Sequence, residues 1–225
     1  MASTTRESQY QICLDLIREN PASTLGLMTN QVWHDDPRRL VFVLARYKFV
    51  AKMLSGVNTV LEVGCADAWG SRIVQQEVGA LTVTDFDPVF IDDVRARMDA
   101  DWKMETLVHD MMTGALDEKF DAAYLIDVIE HIEQDAEDRF LGNVLGSLTE
   151  HGVCIVGTPS IQSQAYASPP SRAGHVNCKD GPMLKALMQQ YFHNVFLFSM
   201  NDEVVHTGFQ PMAHYLWTVC AHRKS

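Results

Sequence analysis

The stretch LEVGCADAWGS, residues 61–71, decides how the chain is read. Its first half ends a short apolar run, NTVLEV at 58–63, of the kind that forms a strand buried on both faces. Gly64 follows at once, and glycine lets a chain turn sharply and lets ligand atoms approach the backbone. Ala66 and Ala68 stand where further glycines would suit such a loop. They serve nearly as well if their φ angles stay negative. Gly70 and Ser71 then lead into a helix read over 69–78.

Outward from this turn the pattern alternates. Strands are expected at 80–85, 104–110, 120–127 and 152–159, with helices at 88–98 and 136–148. Repeated strand–helix units imply a parallel sheet wound with right-handed crossovers. The C-terminal end differs. A helix at 181–191 precedes strands at 193–200 and 212–222, and their non-helical connection predicts an antiparallel pair. Upstream, a helix is read within 5–19 and ended by Asn20-Pro21. Residues 21–36 read as loop, and a helix opened by Pro37 runs to Leu54. Residues 160–179 read as a long loop rich in Ser, Pro, Gly and Gln, a kind that tends to be functional.

In a doubly wound sheet, ligands bind beyond the carboxyl ends of the strands, where the strand order reverses. Gly64 falls at such a place. Asp85 ends the second strand, where an acid can accept hydrogen bonds from both hydroxyls of a ribose. Asp87 is better placed than Asp85 to cap the following helix, which leaves Asp85 for the ribose. A dinucleotide loop would want GxGxxG, and Trp69 occupies the position of the third glycine, against a nicotinamide or flavin enzyme.

These residues resemble the motifs of the class I S-adenosylmethionine-dependent methyltransferases. VLEVGCADAWGS resembles motif I, an acidic residue followed by x-G-x-G-x-G. Glu62 and Gly64 match it, and Ala66 and Ala68 depart from it. VTDFDP resembles the second motif, VHDMM the third and FDAAYLIDVIEHI the fourth, in the family's order. RYKF upstream is similar to a segment that some members use at the cofactor carboxylate. The resemblance covers roughly residues 38–222 and implies S-adenosyl-L-methionine as cofactor, with S-adenosyl-L-homocysteine as product. It assigns Asp85 to the ribose, Phe86 and Asp110 to the adenine, and Asp127 to the methionine end. Arg46 and Tyr47 fall to the carboxylate, Glu62 to holding the loop, and the backbone at Gly64, Cys65, Ala66 and Met111 to lining the cleft.

The fold expected is therefore α/β: a Rossmann-like, seven-stranded, doubly wound sheet, mostly parallel with an antiparallel last strand. A helical N-terminal cap (1–36) precedes the methyltransferase domain (37–225). The reaction expected is methyl transfer to a small-molecule acceptor, most simply at oxygen. N-methylation, a non-catalytic cofactor-binding role and a nicotinamide-dependent oxidoreductase are the alternatives. His131 follows the fourth strand and His175 lies in the long loop, so both flank the entry of an acceptor, and histidine is a suitable general base. Residues 127–133 also resemble a stretch in some ubiquinone-pathway and small-RNA 2′-O-methyltransferases that bind a divalent ion. Asp127, Glu130, His131 and His175 would be the ligands here, although a metal is not expected.

Bulk properties narrow the partners. The 225 residues carry a formal net charge of −11, which disfavours a polynucleotide. Cys13, Cys65, Cys154, Cys178 and Cys220 are odd in number and form no CxxC pair, which fits reduced thiols in a cytoplasmic protein. No apolar run reads as a signal peptide or membrane span, and a monomer or homodimer is expected.

Overall fold

The protein is described as a computed structural model over residues 4–20, 22–99 and 102–224. One sheet runs through it. Its strands are β1 (Thr59–Val63), β2 (Ala80–Asp85), β3 (Glu105–Val108), β4 (Phe120–Ile126), β5 (Leu148–Pro159), β6 (Phe192–Asn201), β7 (Val204–His206) and β8 (Tyr215–Arg223). They lie in the order β3-β2-β1-β4-β5-β8-β6-β7. β3, β2, β1, β4 and β5 pair in parallel, and β8 lies antiparallel between β5 and β6.

The helices are α1 (Gln11–Glu19), α2 (Leu27–Asp35), α3 (Arg38–Met53), α4 (Ser71–Gln75), α5 (Pro88–Arg97), α6 (Glu137–Gly146), α7 (Pro169–Gly174) and α8 (Gly181–Tyr191). Period-two alternation divides the core between the faces of the sheet. Leu61, Val63, Ala123 and Leu125 face α6 and α8. Val60, Ala122, Tyr124 and Ile126 face α3, α4 and α5. Local signals start several helices. Asp87 accepts from the Val89 N–H at 2.9 Å ahead of Pro88, and Asp180 accepts from the Met183 N–H at 2.8 Å.

Four sequence expectations need correction. Among the described residues the sheet has eight strands, because β7 folds back on β6 through a tight turn at Asp202-Glu203; three residues carry too little pattern to announce a strand. Residues 21–36 are not all loop, since α2 forms within them. Its cap comes from far away: the Asp67 carboxylate accepts from the Thr29 backbone N–H at 2.6 Å and the Thr29 hydroxyl at 3.2 Å. The segment 160–179 is structured as well, by a 3-10 turn at Ile161–Tyr166 and by α7, which Ser168 caps. The helix expected over 69–78 is only the short α4. Pro21, read as a helix stop, lies outside the described residues; α1 ends at Glu19.

Candidate functional site at the carboxyl ends of the first, second and fourth strands

β1 stands between β2 and β4, so the strand order reverses there and a crevice opens beyond Val63 and Ile126. Gly64, Ala66 and Ala68 have φ of 74°, 46° and 49°. The alanines therefore do not keep negative φ, as the sequence reading required of them. They adopt the left-handed turns that glycine takes freely, at a cost of roughly 1–2 kcal/mol each. A Cβ at Gly64 would lie 2.5 Å from the Val128 side chain, which makes the first glycine obligatory.

Asp85 shapes this loop. It is buried; one carboxylate oxygen accepts from the Ala66 N–H at 2.9 Å and the other from the Asp87 N–H at 3.0 Å. Asp87 meanwhile caps α5, as expected from sequence. Each carboxylate oxygen retains a further acceptor position for a ligand. Phe86 beside it is 73% exposed, a bare aromatic face at the rim of the crevice. Asp110 is exposed and accepts from the Met112 N–H at 2.8 Å.

Other assigned residues turn inward. The Met111 side chain belongs to the core, and its carbonyl accepts from the Asn143 amide. Cys65 is buried, so only its backbone faces the loop. Glu62 is buried beneath it and accepts from the hydroxyls of Tyr47 (2.9 Å) and Tyr124 (2.6 Å). Burial raises Glu62 to about 7 even though those hydroxyls favour its charged form. The Tyr47 hydroxyl is thus committed to Glu62 rather than to the cleft. Its ring packs where a Cβ at Gly70 would otherwise stand. Of the RYKF segment, Arg46 reaches the crevice: it pairs with Asp127 and lies 3.9 Å above the centre of the Tyr215 ring. Tyr215 gave no signal in the sequence beyond an apolar strand.

Asp127 leaves β4 with φ of 57°. Among the described residues, four buried polar atoms here have no hydrogen-bond partner: Arg46 Nε, Asp127 Oδ1, Glu130 Oε1 and Tyr215 OH. Buried polar atoms are usually satisfied, so this concentration fits a place where ligand atoms complete the set. Burial first, and the Asp127 charge second, raise Glu130 to about 8.

The latch that brings the two candidate histidines together is made of backbone. The Glu130 carbonyl accepts from the N–H groups of Val176 (2.9 Å) and Asn177 (3.0 Å). Asn177 also donates to the Ile132 carbonyl at 3.0 Å, and a buried Lys179–Glu137 ion pair stands beside it. His131 and His175 consequently meet edge to face, ring centroids 5.1 Å apart.

Their hydrogen bonds fix the tautomers. His131 Nδ1 lies 2.8 Å from the Gly174 carbonyl, which can only accept, so Nδ1 carries the proton. His175 Nδ1 lies 2.9 Å from Gln164 Oε1. The Gln164 amide nitrogen donates to the Ser160 carbonyl, so Oε1 is the acceptor for His175 as well. Both rings are left with a lone pair at Nε2. Burial, and then the proximity of His131, lower the pKa of His175 and keep it a neutral base. Donor atoms of Glu130, His131 and His175 lie within 4.8 Å of one another.

A family profile described as "Methyltransferase domain" matches residues 60–152. Nodulation protein S of Rhizobium tropici is 30% identical over 139 residues, which cover 59% of this chain and 58% of that protein. These matches support a class I S-adenosylmethionine-dependent methyltransferase. Among solved structures with this fold, the N-methyltransferase NodS from Bradyrhizobium japonicum WM9, in complex with S-adenosyl-L-homocysteine, aligns with a TM-score of 0.62 at 16% identity. That alignment covers 84% of this chain and 90% of NodS. A DhpI-SAM-HEP complex aligns with a TM-score of 0.59 at 14% identity, over 88% of this chain and 99% of DhpI. The methyltransferase profile includes motif I and the turn at Asp127–His131, and stops before His175. The chain spans 58% of the length of the nodulation protein it matches. No helix among the described residues is long and apolar enough to cross a membrane.

Proposed function

We propose that this chain transfers a methyl group from S-adenosyl-L-methionine to a small acceptor, at oxygen. The observation that carries the reading is Asp85, buried beside a left-handed motif I loop at the reversal point of the sheet. The relatives solved with S-adenosyl-L-homocysteine or SAM support the cofactor. When bound, S-adenosyl-L-methionine supplies a methyl carbon on a positive sulfonium; the acceptor lone pair forms the new bond to carbon as the carbon–sulfur pair returns to sulfur.

The residues of this chain do the rest. Asp85 holds the ribose and Phe86 flanks the adenine. Arg46 exchanges part of its pairing with Asp127 for the cofactor carboxylate. His175 Nε2 takes the hydroxyl proton of the acceptor, and His131 sits against it to hold the ring and depress its pKa. The helix α2 is tied to the loop through Asp67. Positioning two reactants in line supplies most of the acceleration such a displacement needs. Calorimetry with S-adenosyl-L-homocysteine tests the cofactor, and its release from S-adenosyl-L-methionine in the presence of hydroxyl and amine acceptors tests the reaction. Absence of cofactor binding by the folded chain overturns the proposal. Methylation of amines alone moves the acceptor from oxygen to nitrogen, the atom on which the structural relative NodS is named as acting.

A second reading rests on the same cluster. Glu130 Oε1 has no hydrogen-bond partner among the described residues, and both histidines hold a lone pair at Nε2. An oxygen-plus-imidazole set of this kind fits a divalent ion such as Zn²⁺ or Mn²⁺. Glu130, His131 and His175 would hold it, and it would acidify an acceptor hydroxyl as a Lewis acid. Removal and restoration of metal separates the two readings.

A further inference from the structure

A cavity of about 410 Å³ opens between the segment 161–179 and the start of α8. His175 belongs to its wall and also meets His131, so the cavity adjoins the acid–histidine cluster at the end of β4. Its volume suits a small organic molecule.

The wall has two chemically distinct parts. Ile161, Val176 and Met183 are each about half exposed and offer an apolar surface. The charged part reduces to one group. Lys179 and Glu137 also line the cavity, but they are buried against each other and cancel. Arg172 is exposed, and its guanidinium makes no ion pair or hydrogen bond among the described residues. A chain of net charge −11 repels anions in general. A free guanidinium on a cavity beside the candidate base therefore selects locally for what the rest of the surface rejects. Its planar fork of donors matches a carboxylate or phosphonate oxygen pair.

We propose that this cavity is the acceptor pocket, and that the acceptor is a small amphipathic oxyanion. Its anionic group pairs with Arg172, its apolar body lies on Ile161, Val176 and Met183, and its hydroxyl reaches His175. The assignment rests on the methyltransferase reading above and names the substrate class of that site.

The test uses the full chain with ¹³C-labelled Ile, Val and Met methyl groups, titrated separately with benzoate, benzamide and S-adenosyl-L-homocysteine. Benzoate should shift the methyls of Ile161, Val176 and Met183, and bind more tightly than the isosteric, uncharged benzamide. Arg172→Gln should weaken benzoate about tenfold or more, the worth of one charge-assisted pair, and leave benzamide unchanged. Arg172→Lys should fall between. Arg172 is exposed, so these variants keep the fold, which the undisturbed spectrum of the remaining methyls verifies. Equal binding of benzoate and benzamide, insensitivity to Arg172→Gln, or shifts confined to other methyls would overturn the pocket. Failure of the methyltransferase reading looks different. If S-adenosyl-L-homocysteine leaves the spectrum unchanged while benzoate binds through Arg172, the anion site stands and its role as an acceptor pocket falls. If S-adenosyl-L-homocysteine binds and benzoate does not, the cofactor reading stands and the pocket falls.

Discussion

The carboxylate of Asp85 accepts a hydrogen bond from the backbone N–H of Ala66 at 2.9 Å. One side chain thereby fixes the path of the loop after β1 and, in the proposed binding mode, keeps lone pairs for a ribose. Asp85→Ala should weaken S-adenosyl-L-homocysteine binding by roughly 2–4 kcal/mol, since each hydrogen bond to a charged group is worth about 1.5–3. It should also lower stability without ligand, by about 1 kcal/mol or more, because the Ala66 and Asp87 N–H groups lose their acceptor. Calorimetry and urea denaturation measure the two losses. An unchanged cofactor affinity would remove Asp85 from the binding site.

Ala66 and Ala68 carry the strain of that loop. Ala66→Gly or Ala68→Gly should stabilise the chain by roughly 0.5–1 kcal/mol, the relief of a left-handed alanine less the greater unfolded-state freedom of glycine. Gly64→Ala should do the opposite, because both its φ and the Val128 side chain exclude a Cβ. Thermal midpoints of the three variants check the order. A stabilised Gly64→Ala would mean that the loop follows another path.

Two buried carboxyls set a pH dependence. In the folded chain Glu62 titrates at about 7 and Glu130 at about 8, against about 4.3 for an unfolded glutamate. The folded state therefore binds more protons across this window, and stability falls as pH rises through it. The contribution is complete below the unfolded value and lost once both groups have ionised. Urea midpoints of metal-free protein should be lower at about pH 8.5 than at about pH 6. Glu62→Gln, which keeps partners for Tyr47 and Tyr124, should remove its share of that slope. A midpoint that rises with pH would contradict the burial of both groups.

The fold was legible because its evidence is local. Apolar runs, Pro88 and Asp87 at a helix start, and Gly64 after a strand all act within a few residues. α2 was not legible because its cap, Asp67, lies outside its own segment and is supplied by the folded loop. The same limit applies to the site. Asp85 could be named from its strand end, Asp127 from the family resemblance, and His131 and His175 from their places after the fourth strand and in the long loop; the latch from the Glu130 carbonyl to Val176 and Asn177 brings the last two together. That Tyr47 turns to Glu62, or that Tyr215 lies under Arg46, depends on packing that no short motif encodes.

The last prediction separates base from metal at Glu130, His131 and His175. As a general base, His175 replaced by Ala should cost about 10²–10⁴-fold in turnover while cofactor affinity holds. Turnover should then fall as pH drops, with a midpoint below the usual histidine value, since burial lowers the pKa of His175. Activity should survive chelation, because Asp127, the further ligand that the motif would provide, is held by Arg46. Glu130→Gln sharpens the test. Its amide oxygen can still accept from Thr158 Oγ1, which now donates to Glu130 at 3.0 Å, so a base mechanism keeps turnover within a few-fold of the parent. A metal mechanism does not, because an amide is a far weaker ligand than a carboxylate for a hard cation. Calorimetric titration with Zn²⁺ and Mn²⁺, read without any turnover, should show no site that Glu130→Gln removes. Turnover lost to chelator, restored by a divalent ion and abolished with metal binding in Glu130→Gln would transfer the role of His175 from proton acceptor to ligand.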